Sequence, residues 1–313
     1  GNEYLLYREG ATARPYKIGP SATPNYMTYP LERGKDSDWG TGIVGHRSTK
    51  HFFGAPFLDG RKASIFLGRG IYTKEKMAAY DVDPASHKLT QRWYWECNVS
   101  GPWFGQGFHN YAIADVDWDG RDEIVYGSMV IDDNGKGLST CGLGHGDAQH
   151  CGDLDPYRHG QEQFTCNESS PNMNFRNATT SEFYYRSVGT GDDGRALCGN
   201  FSNTYPGCTG RSTNVGMVSC VADKVSTELG DFIGWNDLNF RIYWDGDLCE
   251  EVVNSPGTER EAIVIKPGQG RIFQTVGVKM CNWSKNNPCA MGDIIGDWRE
   301  ELILRNGDQT ELR

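Results

Sequence analysis

The feature that most restricts the fold of this 313-residue chain is a phrase that returns four times. A turn rich in aspartate and glycine is followed by an acidic or polar residue and then by a short apolar run. Leu58-Asp59-Gly60-Arg61-Lys62-Ala63-Ser64-Ile65-Phe66-Leu67 is the first case, and Asp117 to Tyr126 is the second. Gly152-Asp153-Leu154-Asp155-Pro156 through Gln161-Glu162-Gln163-Phe164 is the third, and Gly296-Asp297-Trp298-Arg299-Glu300-Glu301-Leu302-Ile303-Leu304 the fourth. Apolar runs this short, bounded by turn residues, predict strands rather than long helices. Recurrence at intervals of tens of residues is what a stacked or radial array produces, because each small sheet must bury its faces against neighbours. The expected fold is all-β, and a β-propeller fits best. A β-sandwich with repeated Asp-Gly hairpins is the alternative.

The second phrase carries a further signal. Asp115, Asp117 and Asp119 alternate and lead into Gly120, so three hard oxygen ligands can converge on one cation while the glycine permits the turn. Alternating carboxylates on a tight loop repel one another unless a cation sits among them. The loop reads as a structural calcium site, though not an EF-hand, because no glutamate closes it at the twelfth position and Ile124-Val125-Tyr126-Gly127 reads as a strand. Asp122 and Glu123 extend this acidic group. Asp153 with Asp155, and Asp293 with Asp297 and Glu301, offer the same chemistry elsewhere.

Charge and cysteine usage narrow the function classes. A formal net charge of −10 opposes a nucleic-acid partner, whose phosphates would be repelled, and bound calcium would offset part of it. The ten cysteines form an even set with no C-x-x-C knuckle, which favours disulfides over zinc. N-x-S/T sequons stand at Asn98, Asn167, Asn177, Asn200 and Asn282, and with the cysteines they predict a secreted, extracellular glycoprotein. No apolar run approaches the length of a membrane span, and no signal peptide precedes Gly1, so the chain is read as mature or partial. The stretch from about 167 to 213 is rich in Asn, Ser, Thr and Gly, holds Cys198 and Cys208, and lacks alternation. It is expected to be a long decorated loop tethered by a disulfide.

Five longer motifs carry a resemblance. They are F-G-Q-G-F-H-N-Y-A-I-A-D-V-D-W-D-G-R-D-E-I at Phe104 to Ile124, D-D-N-G-K-G-L-S-T at Asp132 to Thr140, and G-L-G-H-G-D-A-Q-H at Gly142 to His150. Y-W-D-G-D-L at Tyr243 to Leu248 and G-D-W-R-E-E at Gly296 to Glu301 complete the set. With them the chain resembles the rhamnogalacturonan lyases of polysaccharide lyase family 11. The resemblance implies an eight-bladed propeller of which residues 1–313 hold the middle blades, the ring being completed by further chain segments or by self-assembly. It implies calcium at a cleft beside His109, His145, Asp147 and Glu168, with Lys285 as the base and Arg211 as the charge stabiliser. The implied substrate is rhamnogalacturonan I, an acidic plant cell-wall polysaccharide, cut by an endolyase at its rhamnose-galacturonate linkage.

The chemistry is coherent with those residue types. Removing the C5 proton of a galacturonate is hard, and a cation helps by neutralising the carboxylate and the enolate-like charge that develops. A lysine can act as base where burial or nearby positive charge lowers its pKa. Asp147 and Glu168 suit calcium directly, whereas His109 and His145 suit orienting the acids or touching the substrate; His150 is a further candidate. Plainer readings stand beside these. The histidines can be structural, Lys285 can cap a disulfide loop between Cys281 and Cys289, and Arg211 can face solvent. Trp103, Phe104, Tyr243 and Trp244 can stack on sugar rings, but core packing is preferred for most of them. Paired carboxylates also suit a glycoside hydrolase, and the whole chain suits a non-catalytic extracellular propeller for carbohydrate binding or filamentous assembly.

Overall fold

The computed structural model describes residues 4–6, 26–40, 44–86, 88–169, 173–187, 191–221 and 238–313. Strands dominate it, and the helices among the described residues are single turns at Asp36–Trp39, Val44–Ser48 and Trp283–Lys285. None is long and apolar enough to cross a membrane. Five groups of strands form antiparallel meanders whose order in space follows their order in sequence. The first meander runs His51–Gly54, Ile65–Arg69, Lys76–Asp83, Lys88–Glu96. The second runs Ala112–Ala114, Glu123–Tyr126, Met129–Ile131, Gly137–Thr140. The third runs Gly146–Gly152, Glu162–Asn167, Met173–Asn177, Phe183–Arg186. The fourth has Ala196–Gly199, Thr209–Ser212 and Val218–Ser219. The fifth runs Phe240–Ile242, Glu251–Asn254, Ile263–Lys266, Gly270–Gln274. Two further pairs follow, Ala290–Gly292 with Glu301–Ile303 and Val278–Lys279 with Arg305–Asn306.

Burial explains why the apolar runs are short and dense. Every residue of Glu123–Tyr126, Met129–Ile131, Glu162–Asn167 and Ile263–Lys266 is buried, as expected of central strands covered on both faces. The outer strand His51–Gly54 alternates instead between exposed and half-buried.

The chain separates into two compact units. The first comprises residues 1–145 with 178–181. Its core packs Leu58, Phe66, Met77 and Trp93 of the first meander against Ile124, Tyr126, Met129 and Ile131 of the second. The second unit comprises residues 146–177 and 182–313. Phe164 and Phe175 of its third meander meet Ala196, Cys198 and Val218 of the fourth, and Leu197 and Met217 meet Val252, Ile263 and Ile265 of the fifth. Within each unit, then, core lies between consecutive sheets.

The region from about 167 to 213 corrects the sequence-based expectation. In place of a long loop it supplies strands Met173–Asn177, Phe183–Arg186, Ala196–Gly199 and Thr209–Ser212. Alternation is hidden because polar side chains point inward and satisfy one another. The Arg176 guanidinium donates to Thr165 Oγ1 and Asn174 Oδ1, both at 2.7 Å, and to Gln163 Oε1 at 2.9 Å. Asn174 in turn donates to Asn167 Oδ1 at 3.2 Å. A hydrogen-bonded polar network can occupy a core that hydrophobicity alone would not reveal. The expected disulfide framework is not formed, and all ten cysteines are thiols. Cys198 and Cys208 are nevertheless in side-chain contact across their hairpin, and Cys281 Sγ lies 3.7 Å from Cys289 Sγ.

Candidate active site and cation loops

Four loops share one device. A glutamate at the start of a strand turns back to accept backbone N–H groups from the loop before it. Glu123 Oε2 accepts from Val116 at 2.8 Å, and Glu162 Oε2 accepts from Leu154 and Asp155 at 3.0 Å each. Glu251 Oε2 accepts from Trp244 at 3.0 Å, and Glu301 Oε2 accepts from Ile294 at 2.8 Å and Ile295 at 3.2 Å. These bonds fix the loop and leave the second carboxylate oxygen of each glutamate for other work.

In the first of these loops Asp115, Asp117 and Glu123 bring one oxygen each within 4.8 Å of the others. Glu123 Oε1 is buried with no hydrogen-bond partner among the described residues, and burial first, then the neighbouring aspartates, pushes the Glu123 pKa up to about 8. An orphaned buried carboxylate oxygen beside two further carboxylates fits a hard cation such as calcium. Asp119 departs from expectation. Its Oδ1 accepts the Arg121 N–H at 2.9 Å, and Glu123 takes its place in the cluster. Gly120 sits at φ +90°, the left-handed region that the turn requires.

Asp153 and Asp155, expected as metal ligands, are placed differently. Asp155 is buried and paired with Arg158 at 2.9 Å, Asp153 is exposed, and no three-ligand group among the described residues includes either. An attached guanidinium supplies the positive charge there. Asp297 is likewise paired with Arg299.

His109 and His145 come together in the first unit. Their ring centroids are 4.9 Å apart, and Tyr72 lies against both, 3.8 Å from the ring of His145 and with its hydroxyl 3.2 Å from His109 Nε2. Tyr72 holds φ at +66°, a strained value for a non-glycine residue, which marks it as over-determined by its surroundings. His145 Nδ1 donates to the Gly107 carbonyl at 2.6 Å, so a proton sits on that nitrogen. Gly107 cannot be replaced without movement, since a Cβ there would lie 2.4 Å from the Tyr126 ring.

Asp147 and Glu168 come together in the second unit, joined by Asp192, with one oxygen of each within 4.8 Å of the others. A bulge causes this. Gly146 pairs with Asn167 and Ala148 with Cys166, so Asp147 is the extra residue, re-aimed at the strand end that carries Glu168. Contacts lead from this group to the two expected catalytic residues. A Cβ on Gly194 would be 3.5 Å from Asp147 Oδ2, and the next residue, Arg195, donates to Asn239 Oδ1 at 2.6 Å and to the Ser284 carbonyl at 2.8 Å. Lys285 follows Ser284 at the end of the turn Trp283–Lys285 and is exposed. Arg211 lies opposite Leu197, two residues from Arg195. Tyr72, Asp192 and Arg195 were not singled out by the sequence. Gly191-Asp192-Asp193-Gly194 does repeat the Asp-Gly punctuation, but it falls in the stretch read as loop.

Other expected residues resolve as follows. Burial, then Arg241, pushes the His150 pKa down to about 3, so it is a neutral ring packed 6.0 Å from Phe164. Asn167 is fully buried, and its Oδ1 accepts from Asn174 Nδ2 at 3.2 Å. Asn200 Nδ2, the atom a glycan would take, donates to the Leu248 carbonyl at 2.9 Å, and Asn177 is half-buried. Asn98 and Asn282 are exposed. Trp244 lies 4.7 Å from Phe273 beside a groove of about 620 Å³ that includes none of Asp147, Glu168, Arg211 or Lys285.

The described residues define an all-β class of fold, sequential antiparallel sheets with carboxylates gathered at strand junctions. The chain belongs to rhamnogalacturonan lyase family 11, matching the description "Rhamnogalacturonan lyase family 11, C-terminal domain" over residues 1–313. It is 36% identical to the rhamnogalacturonan exolyase YesX of Bacillus subtilis and 35% identical to the rhamnogalacturonan endolyase YesW of the same organism. All of this chain is covered in both, against 52% of YesX and 48% of YesW, so it spans about half the length of these curated relatives. The crystal structure of YesW superposes with a TM-score of 0.83 at 33% identity, and that of a Bacillus licheniformis family 11 rhamnogalacturonan lyase with 0.83 at 32%. Each covers the whole of this chain, which covers 52% and 51% of theirs.

Proposed function

We infer that the chain acts in β-elimination on rhamnogalacturonan I as an extracellular, calcium-dependent endolyase, built as part of a β-propeller. The observation that carries this reading is the carboxylate group of Asp147, Glu168 and Asp192 on a strand bulge, with Arg195 reaching from beside it to the loop of Lys285. Calcium held by those carboxylates would neutralise the uronate carboxylate and favour ionisation at C5. Lys285 takes the C5 proton, and its exposed position at a turn leaves the amine able to reach substrate. Arg211 stabilises negative charge as the leaving oxygen departs. His109 and His145, set by Tyr72 and Gly107, bind sugar hydroxyls through rigid ring edges.

The test is the absorbance of the unsaturated uronate formed on rhamnogalacturonan I. Lys285→Ala is expected to lower kcat by at least about a hundredfold, the usual scale for a general base. Asp147→Asn is expected to raise the calcium needed for half-maximal rate. An unchanged rate in Lys285→Ala removes that residue as base, and absence of any calcium-dependent absorbance from the wild-type chain favours the carbohydrate-binding or assembly role. Early loss of solution viscosity distinguishes endo from exo cleavage.

A further inference from the structure

Three of the four loops share their glutamate but not the residue that faces it from the following strand. In the second meander Ile124 pairs with Ile131, which sets Asp132 opposite Glu123. In the third, Glu162 pairs with Asn177. In the fifth, Val252 pairs with Ile265, which sets Lys266 opposite Glu251. One register position therefore carries a negative, a neutral and a positive group in turn.

The positive group enters the centre of its loop. Lys266 Nζ lies 2.7 Å from Asp247 Oδ2 and 3.1 Å from Glu251 Oε1, and it also contacts Asp245 Oδ2 closely. These are the three acids whose oxygens converge as a metal site would require. An ammonium carries three donors and no acceptor; it hydrogen-bonds Asp245 and Asp247, and Glu251 Oε1 faces it as an ion-pair partner. The backbone completes the fit, because Asp245 Oδ1 accepts the Asp247 N–H at 3.0 Å and Asp247 Oδ1 accepts the Cys249 N–H at 2.8 Å. The Lys266 side chain is 11% exposed, and its carboxylate contacts raise its pKa despite burial. A calcium ion needs oxygens at about 2.3–2.6 Å and would have to share these three with a cation already touching them. Like charges that close repel strongly, so the two occupants exclude each other.

We propose that Lys266 is the resident cation of the Asp245–Glu251 loop, an internal ammonium standing where the Asp115–Glu123 loop calls for a metal ion. The loop then keeps its shape without calcium, whether or not the chain is a lyase.

Calcium bound per chain, counted by native mass spectrometry and equilibrium dialysis, tests this. Asp245→Asn/Asp247→Asn is expected to bind as many ions as the wild type, and loss of one ion overturns the proposal. Lys266→Ala is expected to bind one ion more than the wild type, and its thermal midpoint is expected to rise further on going from chelator to calcium. An unchanged count in Lys266→Ala overturns the proposal. Should that variant fail to fold, the aspartate pair in the presence of Lys266 still decides.

Discussion

Glu75 shows what one buried side chain does to pH behaviour. It is fully buried, accepting the Gly107 N–H at 3.2 Å and the Cys97 thiol at 3.2 Å. Burial raises its pKa from 4.5 to about 8, opposed in part by those bonds. Between these values the folded chain holds a proton that the unfolded chain has lost. Stability from this group is therefore full below about pH 4.5, falls as pH rises to about 8, and is level above, with a slope of at most about 1.4 kcal/mol per pH unit. Glu75→Gln should flatten that part of the profile when unfolding is followed in urea from pH 5 to 8, and superimposable profiles would contradict the assignment. No sequence pattern marks Glu75. Its neighbour in the argument, His145, was legible through G-L-G-H-G-D-A-Q-H, yet the proton on its Nδ1 depends on the Gly107 carbonyl, 38 residues away. Asp147 and Glu168 were likewise legible by resemblance. Asp192 was not, because only folding returns it to them.

At the scale of elements, the Asp-Gly phrases predicted where strands begin, and the glutamates at Glu123, Glu162 and Glu301 explain why. Glu162→Ala should leave the buried Asp155 N–H unbonded and the Leu154 N–H with the Gly152 carbonyl alone, at about 1–3 kcal/mol for the unbonded group, and urea unfolding of the variant measures it. A midpoint equal to that of the wild type would show that the carboxylate is dispensable. The loop carrying Lys285 gives a second test. Cys281 exchanges backbone hydrogen bonds with Asn287, and its sulfur lies 3.7 Å from that of Cys289, while a disulfide needs about 2.05 Å. The two sulfurs are nonetheless in side-chain contact. Treatment with oxidised glutathione should therefore join the two sulfurs, with two protons and two electrons passing to the glutathione disulfide as it becomes two thiols. The peptide spanning residues 281–289 should then lose two hydrogens and resist alkylation, and continued alkylation of both cysteines would disprove the pairing. The strands between 173 and 212 were illegible because their inward positions hold Asn, Arg and Thr. Hydrophobic period detects only cores made of apolar side chains.

Across the whole molecule, an excess of acids, 41 against 31 basic residues, is gathered into clusters in both units. Chelation at low ionic strength should lower the thermal midpoint, since each site saturated at a hundred times its Kd contributes about 2.7 kcal/mol. Added sodium chloride should restore part of the loss at the exposed clusters by screening over about 8 Å at physiological strength. A midpoint indifferent to chelator would refute the cation loops. What the sequence by itself determined was local: strand length, turn position, the sign of the charge and the family, each written in residues close together along the chain. Tertiary structure alone decided which acids converge into groups with the spacing of metal ligands and which are matched by an attached Arg158, Lys266 or Arg299. The physical reason is that electrostatic demand is set by distances of a few ångströms, and pairings such as Glu251 with Lys266 exist only once the sheet has brought distant residues into register.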